Sequence, residues 1–389
     1  MNTSVPPDFA DTAAPMAADH RAILAALRAR GIATDDYPRL EGRGRPRGAA
    51  AARAYPMQGV LKYHGMSDWD WRIAYLPSVS LCNDAGDTLT LVEFDPDLPS
   101  DTLTIGGAPA RGRDLERVVQ SLDAVRRIAG VSSRARVVSR NSVRASRFGK
   151  GLGTSASASA ALATAAIGAL FGAEAAANTR FVSCMARLLA GSGCRSASGG
   201  MSLWLAYPGI AHEDSFAVRL DARGQLYGVS LITVPLDSRV GLKTEEAHRD
   251  APHSPFFRSW MASRRDEVIA CVDAALAGDW RAIGRWAELD SIRLHGVTMS
   301  GSMENKIFGW EPENIHLFRM CNDLRARGVP VYCSTDTGPT AVFVTGREHE
   351  EAVVAAIHGL GLGLEAVRGR VAGPAHLVDV ESARAELGG

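Results

Sequence analysis

Apolar residues recur at helical spacing in several separate stretches of this 389-residue chain. Ile23, Leu24, Leu27 and Ile32 lie near one face of a short helix predicted over residues 18–31. Leu115, Val118, Val119, Leu122, Val125 and Ile128 predict a helix over 113–129. Further helices are expected after residue 160, over 179–189, 255–277, 280–295 and 348–360, and over 312–328 with Ile315, Leu317, Phe318, Cys321 and Leu324 inward. Elsewhere the period shortens. Residues 52–65 read as one strand leading into a glycine turn, and 78–83 and 88–94 alternate as a strand pair. Thr102–Ile105 before Gly106-Gly107 predicts a hairpin. Strands follow over 135–142, 201–207 and 226–235, then 329–333 and 341–344 around an Asp-Thr-Gly-Pro turn, and a last one over 364–368.

This order is α+β, not a regular βαβ repeat, and shows no internal repeat. Residues 1–15 are expected to be mobile, 43–48 to form a solvated basic connector, 191–200 to be a loop of small residues, and 237–253 to be a polar segment. A boundary near 226–235 gives an extension over 1–50 and domains over 51–228 and 229–389.

Composition narrows the partners. Lys+Arg and Asp+Glu are equal at 43 each, so there is no global basic field and nucleic acid is not an expected partner. No apolar run is read as membrane-spanning, and residues 1–18 lack the basic-then-apolar order of a signal peptide. Six cysteines are scattered without a Cys-x-x-Cys, which suits free buried thiols in a reducing cytoplasm better than zinc. A homodimer is the expectation for an enzyme of this size.

The candidate chemistry starts at Gly149-Lys150-Gly151-Leu152-Gly153-Thr154-Ser155-Ala156-Ser157. Glycines feeding an alanine-rich helix leave backbone N–H groups unpaired at its positive end, which makes an anion site. Thr154, Ser155 and Ser157 add hydroxyls where a phosphate or its metal would sit. No Gly-Lys-Ser/Thr follows at the Walker spacing, and a plain loop before a core helix is the alternative. Three charged residues stand among small or apolar neighbours: Lys62 on a strand, Arg195 in a glycine-serine stretch, and Asp336 before a Gly-Pro turn that it could simply cap. Phosphoryl transfer needs a phosphate cradle, cations and a carboxylate to take a hydroxyl proton, and these residues supply a candidate for each.

These stretches carry a family resemblance. Lys150-Gly-Leu-Gly-Thr-Ser-Ala-Ser-Ala-Ser resembles the phosphate loop of the GHMP kinase superfamily. Gly191-Ser192-Gly193-Cys194-Arg195-Ser196 with Gly199-Gly200 resembles the signature of diphosphomevalonate decarboxylases, as do Leu61-Lys62-Tyr63-His64-Gly65 and Asp336-Thr337-Gly338-Pro339. The resemblance runs from about residue 53 to the C-terminus. It implies the two-domain GHMP fold, with a ribosomal-protein-like N-terminal half and a ferredoxin-like C-terminal half. It also implies ATP- and magnesium-dependent decarboxylation of a phosphorylated mevalonate, a small phosphorylated hydroxy acid, in isoprenoid biosynthesis. Asp336 would orient or deprotonate the 3-hydroxyl, Arg195 would grip the carboxylate, and Lys62 would organise the aspartate. Lys150, Gly151, Gly153, Thr154, Ser155 and Ser157 would hold ATP, with Ser155 near the metal, while Tyr63 and Ser192 would touch substrate.

One departure matters. The family's Lys-Tyr-Trp-Gly-Lys is here Lys62-Tyr63-His64-Gly65-Met66, so a cation expected beside the terminal phosphates is missing. A less charged substrate would compensate. Residues 54–66 and 241–257 resemble archaeal-type phosphomevalonate decarboxylases, which makes Lys243, His248 and Arg249 candidates for a remaining phosphate. An exposed polar loop is the alternative for those three. His64 and His295 are read as structural donors. A kinase that stops at phosphorylation, or a decarboxylase of another β-hydroxy acid, are the competing functions.

Overall fold

The computed structural model describes residues 5–145, 152–238 and 244–388. In chain order the elements are α1 (Ala10–Ala29), β1 (Gly48–Ala54), β2 (Met57–Leu61), β3 (Met66–Asp68), β4 (Ile73–Ala74), β5 (Ser78–Cys82), β6 (Gly86–Asp95), β7 (Thr102–Ile105) and β8 (Ala108–Pro109). Next come α2 (Arg113–Ala129), β9 (Arg134–Val143), α3 (Thr154–Phe171), α4 (Ala173–Ala177), α5 (Thr179–Leu189), α6 (Gly193–Ser198), β10 (Met201–Trp204), β11 (Ala217–Arg219) and β12 (Val229–Val234). The chain continues through α7 (Thr244–Asp250), α8 (Phe257–Ala262), α9 (Arg264–Ala277), α10 (Trp280–Ser300) and α11 (Pro312–Ala326). It ends with β13 (Val331–Thr335), β14 (Ala341–Gly346), α12 (Glu350–Gly359), β15 (Val367–Gly369), β16 (His376–Val378) and α13 (Val380–Leu387).

Among the described residues three larger sheets and a two-stranded β3-β4 ribbon organise the molecule. One has six strands in the order β16-β1-β6-β9-β7-β8, a second has four in the order β11-β10-β5-β2, and a third has four in the order β13-β14-β12-β15. The mixed order bears out the α+β expectation. The hairpin at 102–109 forms as expected. Helix α3 is mostly Ala, Ser and Thr, so it lies close to its neighbours and is buried on nearly every side rather than along one stripe. Its length and composition alone would let it cross a membrane, yet it is mostly buried inside the molecule.

Several expectations change. The single strand over 52–65 is two strands in different sheets, broken at Pro56, which has no N–H to continue a ladder. Residues 78–83 and 88–94 do not pair: β5 lies between β2 and β10, and β6 between β1 and β9. The reversal between them is held by Asn83, whose Oδ1 accepts from Ala85 N at 2.9 Å while its Nδ2 donates to Thr233 Oγ1 at 2.9 Å. The stretch 191–200 contains α6, and the polar segment contains α7. Ile315 is 49% exposed, since α11 turns Leu317, Cys321 and Leu324 inward instead. The last strand is followed by β16, which returns to the first sheet against β1, and by α13.

Within the extension, helix begins at Pro7 rather than after residue 15. Phe9 is buried, 4.6 Å from the Tyr75 ring and 5.9 Å from that of Phe257. Ile23 and Leu27 are buried, and Arg30 forks onto Asp273 at 2.6 and 2.9 Å. Asp35 Oδ2 then caps α5 by accepting from Thr179 N at 2.8 Å. The basic connector keeps its side chains largely in solvent but is pinned by its backbone: Gly44 N donates to Ala129 O at 2.9 Å and Arg45 N to Leu170 O at 2.8 Å. Residues 5–50 are therefore a belt across α9, α5, α2 and α3.

Candidate active site

Strand β2 is buried throughout and delivers Lys62 at its end. The Lys62 ammonium turns back along the strand. It donates to Gly59 O at 2.7 Å, Ser334 Oγ at 2.9 Å and Asp336 Oδ1 at 3.0 Å. Only 2% of Lys62 is exposed. Burial pushes its pKa down, and the neighbouring Asp336 carboxylate opposes that fall.

Asp336 follows β13, where the chain leaves the third sheet. Its Oδ1 also accepts from Gln58 Nε2 at 3.1 Å and Gly59 N at 3.1 Å. Among the described residues its Oδ2 has only the longer Gly59 contact at 3.4 Å. One oxygen is thus fixed by three donors and the other is left as the available base. Position 59 requires glycine, because a Cβ there would stand 2.8 Å from Asp336 Oδ1 and 3.2 Å from Lys62 Nζ. Behind, His295 Nε2 contacts Asp336 O at 3.0 Å, so the N–H sits on Nε2 and donates. Burial lowers the His295 pKa to about 3, which keeps the ring neutral.

Arg195, on α6, is 2% exposed, yet its Nε and Nη1 have no acceptor among the described residues. Its guanidinium carbon stands 5.2 Å from the Tyr63 ring centre. Lys62, Asp336 and Arg195 line one cavity of about 340 Å3, together with Tyr63, Ser192, His248, Gly153, Thr154 and Ser155. Tyr63 stacks on His248 at 5.5 Å, and burial raises its hydroxyl pKa to about 12. His248 Nδ1 accepts from Gly65 N at 3.0 Å, and burial lowers its pKa to about 4, so it is a neutral wall.

The glycine loop meets this cavity at α3. Gly153 has φ +74°, and a Cβ there would lie 2.4 Å from Met57 O, so only glycine fits the turn against β2. A second cavity of about 270 Å3, with Leu103, Ile105, Val118, Val137 and Leu162 on its apolar walls, shares Thr154 and Ser155 with the first. The first turn of α3, with its unpaired N–H groups, stands at the junction.

Not every expected residue converges. Ser157 is fully buried, with its hydroxyl 2.7 Å from Thr88 Oγ1, and lines neither cavity. Arg249 points outward over Trp69 at 4.6 Å and pairs with Glu245 at 3.2 Å. Lys150, Gly151 and Lys243 lie outside the described residues. Met66 is buried with its methyl against Gly191, outside the cavity lining. Gln58 and Ser334 were missed. Gln58 is a polar residue on an otherwise apolar strand, and Ser334 follows the apolar start of β13, which was the available signal.

The family of diphosphomevalonate decarboxylase-like N-terminal domains matches residues 54–217. A phosphomevalonate decarboxylase of Haloferax volcanii is 35% identical over 336 residues, 86% of this chain and 99% of that one. A mevalonate 3,5-bisphosphate decarboxylase of Thermoplasma acidophilum is 29% identical over 75% of this chain and 69% of its own. Among solved structures, the mevalonate diphosphate decarboxylase of Enterococcus faecalis, studied for its mevalonate diphosphate-mediated ATP binding, superposes with TM-score 0.76 at 25% identity. It spans 86% of this chain and 100% of that one. A chain solved in complex with MVAPP, AMPPCP and magnesium gives the same four figures.

Proposed function

The chain belongs to the diphosphomevalonate decarboxylase family, and from that membership we propose an ATP-dependent decarboxylase of phosphorylated mevalonate, acting on the 5-monophosphate and releasing isopentenyl phosphate. The observation that carries the mechanism is the division of Asp336: among the described residues Oδ1 is held by three donors and Oδ2 is left open, in a cavity that Arg195 also lines.

Asp336 Oδ2 takes the proton of the substrate 3-hydroxyl as that oxygen attacks the γ-phosphorus of ATP and ADP leaves. The C3–O bond then breaks and phosphate departs. The electron pair of the C1–C2 bond becomes the C2=C3 double bond, and carbon dioxide is released. Arg195, which lines the cavity, holds the substrate carboxylate as a planar fork does and a point charge does not. Lys62 holds Asp336 in place and offsets the charge that develops beside it. The N–H groups and hydroxyls of Thr154 and Ser155 receive the ATP phosphates, and the second cavity receives the nucleoside. In this reading residues 51–228 form the ATP-binding half.

Among the described residues no three acidic, histidine or cysteine groups cluster as a metal site. Ser155 is exposed in the first turn of α3, where both cavities meet. A hydroxyl oxygen there suits magnesium that arrives with the nucleotide and keeps water and phosphate ligands. When bound, magnesium neutralises phosphate charge.

The monophosphate is preferred because Met66 supplies no cation and is packed away from the cavity. Tyr63 and Ser192 are the substrate contacts that line the cavity, and His248, whose Nδ1 accepts from Gly65, is a neutral Nε2–H donor there. A cytoplasmic homodimer completes the reading, with all six cysteines buried as free thiols.

The test is purified protein with ATP and mevalonate 5-phosphate, counting ADP and carbon dioxide. Equal molar yields are expected. ADP without gas would identify a kinase, and faster turnover of the diphosphate would reverse the substrate preference. Asp336→Asn should lower kcat by about 10²- to 10⁴-fold with ATP affinity retained, as loss of a general base does. Loss of ATP binding in that variant would make the aspartate structural.

A further inference from the structure

Lys62 is gripped from behind as well as from the cavity. Its backbone N–H donates to Asp290 Oδ2 at 2.5 Å. Asp290 lies on α10, has no exposed surface and lines no part of the catalytic cavity. Trp260 Nε1 donates to its Oδ1 at 2.8 Å, and Arg264 Nη2 to its Oδ2 at 3.1 Å. Arg293 Nη1 stands 3.5 Å from Oδ1. An ion cluster this deep is weak support for stability alone, because desolvation offsets much of its attraction.

We infer that Asp290 is a positioning residue for the decarboxylation: it locks the Lys62 backbone, so aiming the ammonium at Asp336, and gives that ammonium a second negative charge. The inference rests on the roles proposed above for Lys62 and Asp336. The back-folded Lys62 side chain reaches Gly59 O, Ser334 and Asp336 together, which needs its backbone held in one orientation. Asp290 is the acceptor that holds it.

The electrostatics point the same way. Lys62 is faced by Asp336, Arg195, the neutral His295 and the Cys333 thiol, and from behind by Asp290. Around Asp290 stand Arg264, Arg293, Glu267 and Cys271. The two arginines balance the two carboxylates Asp290 and Glu267. Removing the Asp290 charge leaves one arginine unbalanced behind Lys62, and the ammonium then gives up its proton at lower pH.

Only four lysines occur in the chain, at positions 62, 150, 243 and 306. Protein labelled with ¹³C at lysine Cε therefore shows few signals, and Lys62→Met assigns the relevant one. In Asp290→Asn the Lys62 midpoint should fall by about one pH unit, with the alkaline limb of kcat moving equally. Misaiming should also lower kcat about 10- to 100-fold with KM for ATP within about two-fold. An unchanged lysine midpoint together with unchanged kcat overturns the inference, whatever the melting temperature does. If wild-type protein shows no ATP-dependent gas release, the proposed reaction fails, while the lysine spectrum still judges Asp290. Should the asparagine variant not fold, Trp260→Phe keeps the packing and removes one hold on the carboxylate. Its kcat should fall about 3- to 10-fold at unchanged KM for ATP, and an unchanged kcat overturns the inference.

Discussion

At the scale of single residues, Arg195 places a buried cation on the cavity wall. A carboxylate bound there meets a charge that water screens little. Arg195→Lys should therefore lower kcat/KM for the hydroxy acid by about 10²-fold while ATP binding alone is little changed. Steady-state kinetics beside calorimetry with ATP would separate the two. Lys62, Arg195 and Asp336 were legible in the sequence because each is a charge set among small or apolar residues. Asp290 was not. It sits in a long helix where an acidic residue reads as solvated, and only the fold turns it toward the Lys62 backbone. Arg249 failed for the converse reason: a basic residue near candidate ligands was drawn instead to Glu245 and Trp69.

The element that sets the site is α3, and its placement depends on Gly153. A side chain at that position meets both a left-handed φ of +74° and Met57 O at 2.4 Å. Gly153→Ala should cost about 1–3 kcal/mol of stability. It should also weaken ATP binding by displacing the first turn of α3, seen as a lower urea midpoint and a raised Kd. Helices α2 and α5 and the hairpin at 102–109 were readable, because each is specified by its own residues. The partners of β5 and β6 were not, because alternation reports burial and is silent on which neighbouring strand provides it. Six-residue α6 was hidden for a related reason, since a glycine-serine run favours loops and only surrounding packing makes it helical.

Over the whole molecule, buried histidines set an acid limit. Burial holds His64 well below its usual pKa, and lowers His248 to about 4, His295 to about 3 and His212 to about 2. Above pH 6.5 these rings are neutral folded or unfolded and cost nothing. Below that value the unfolded chain takes up protons that the folded one refuses. Each ring then removes up to about 1.4 kcal/mol per pH unit as the pH falls toward its folded value. The urea midpoint should be level between pH 7 and 8 and drop steeply by pH 5, whereas a flat profile would mean that water reaches these rings. The α+β order and the family resemblance made the architecture legible from residue 53 onward. The first fifty residues were not, because hydrogen bonds from Gly44 and Arg45 backbone to α2 and α3 leave no trace in composition.

That belt has a consequence for biosynthesis. Its anchors await partners made much later: Phe9 packs on Phe257, and Arg30 pairs with Asp273. The α1 part of the belt therefore reaches its final seat only once the chain through Asp273 has been made, and until then Phe9 lacks the Phe257 face of its pocket.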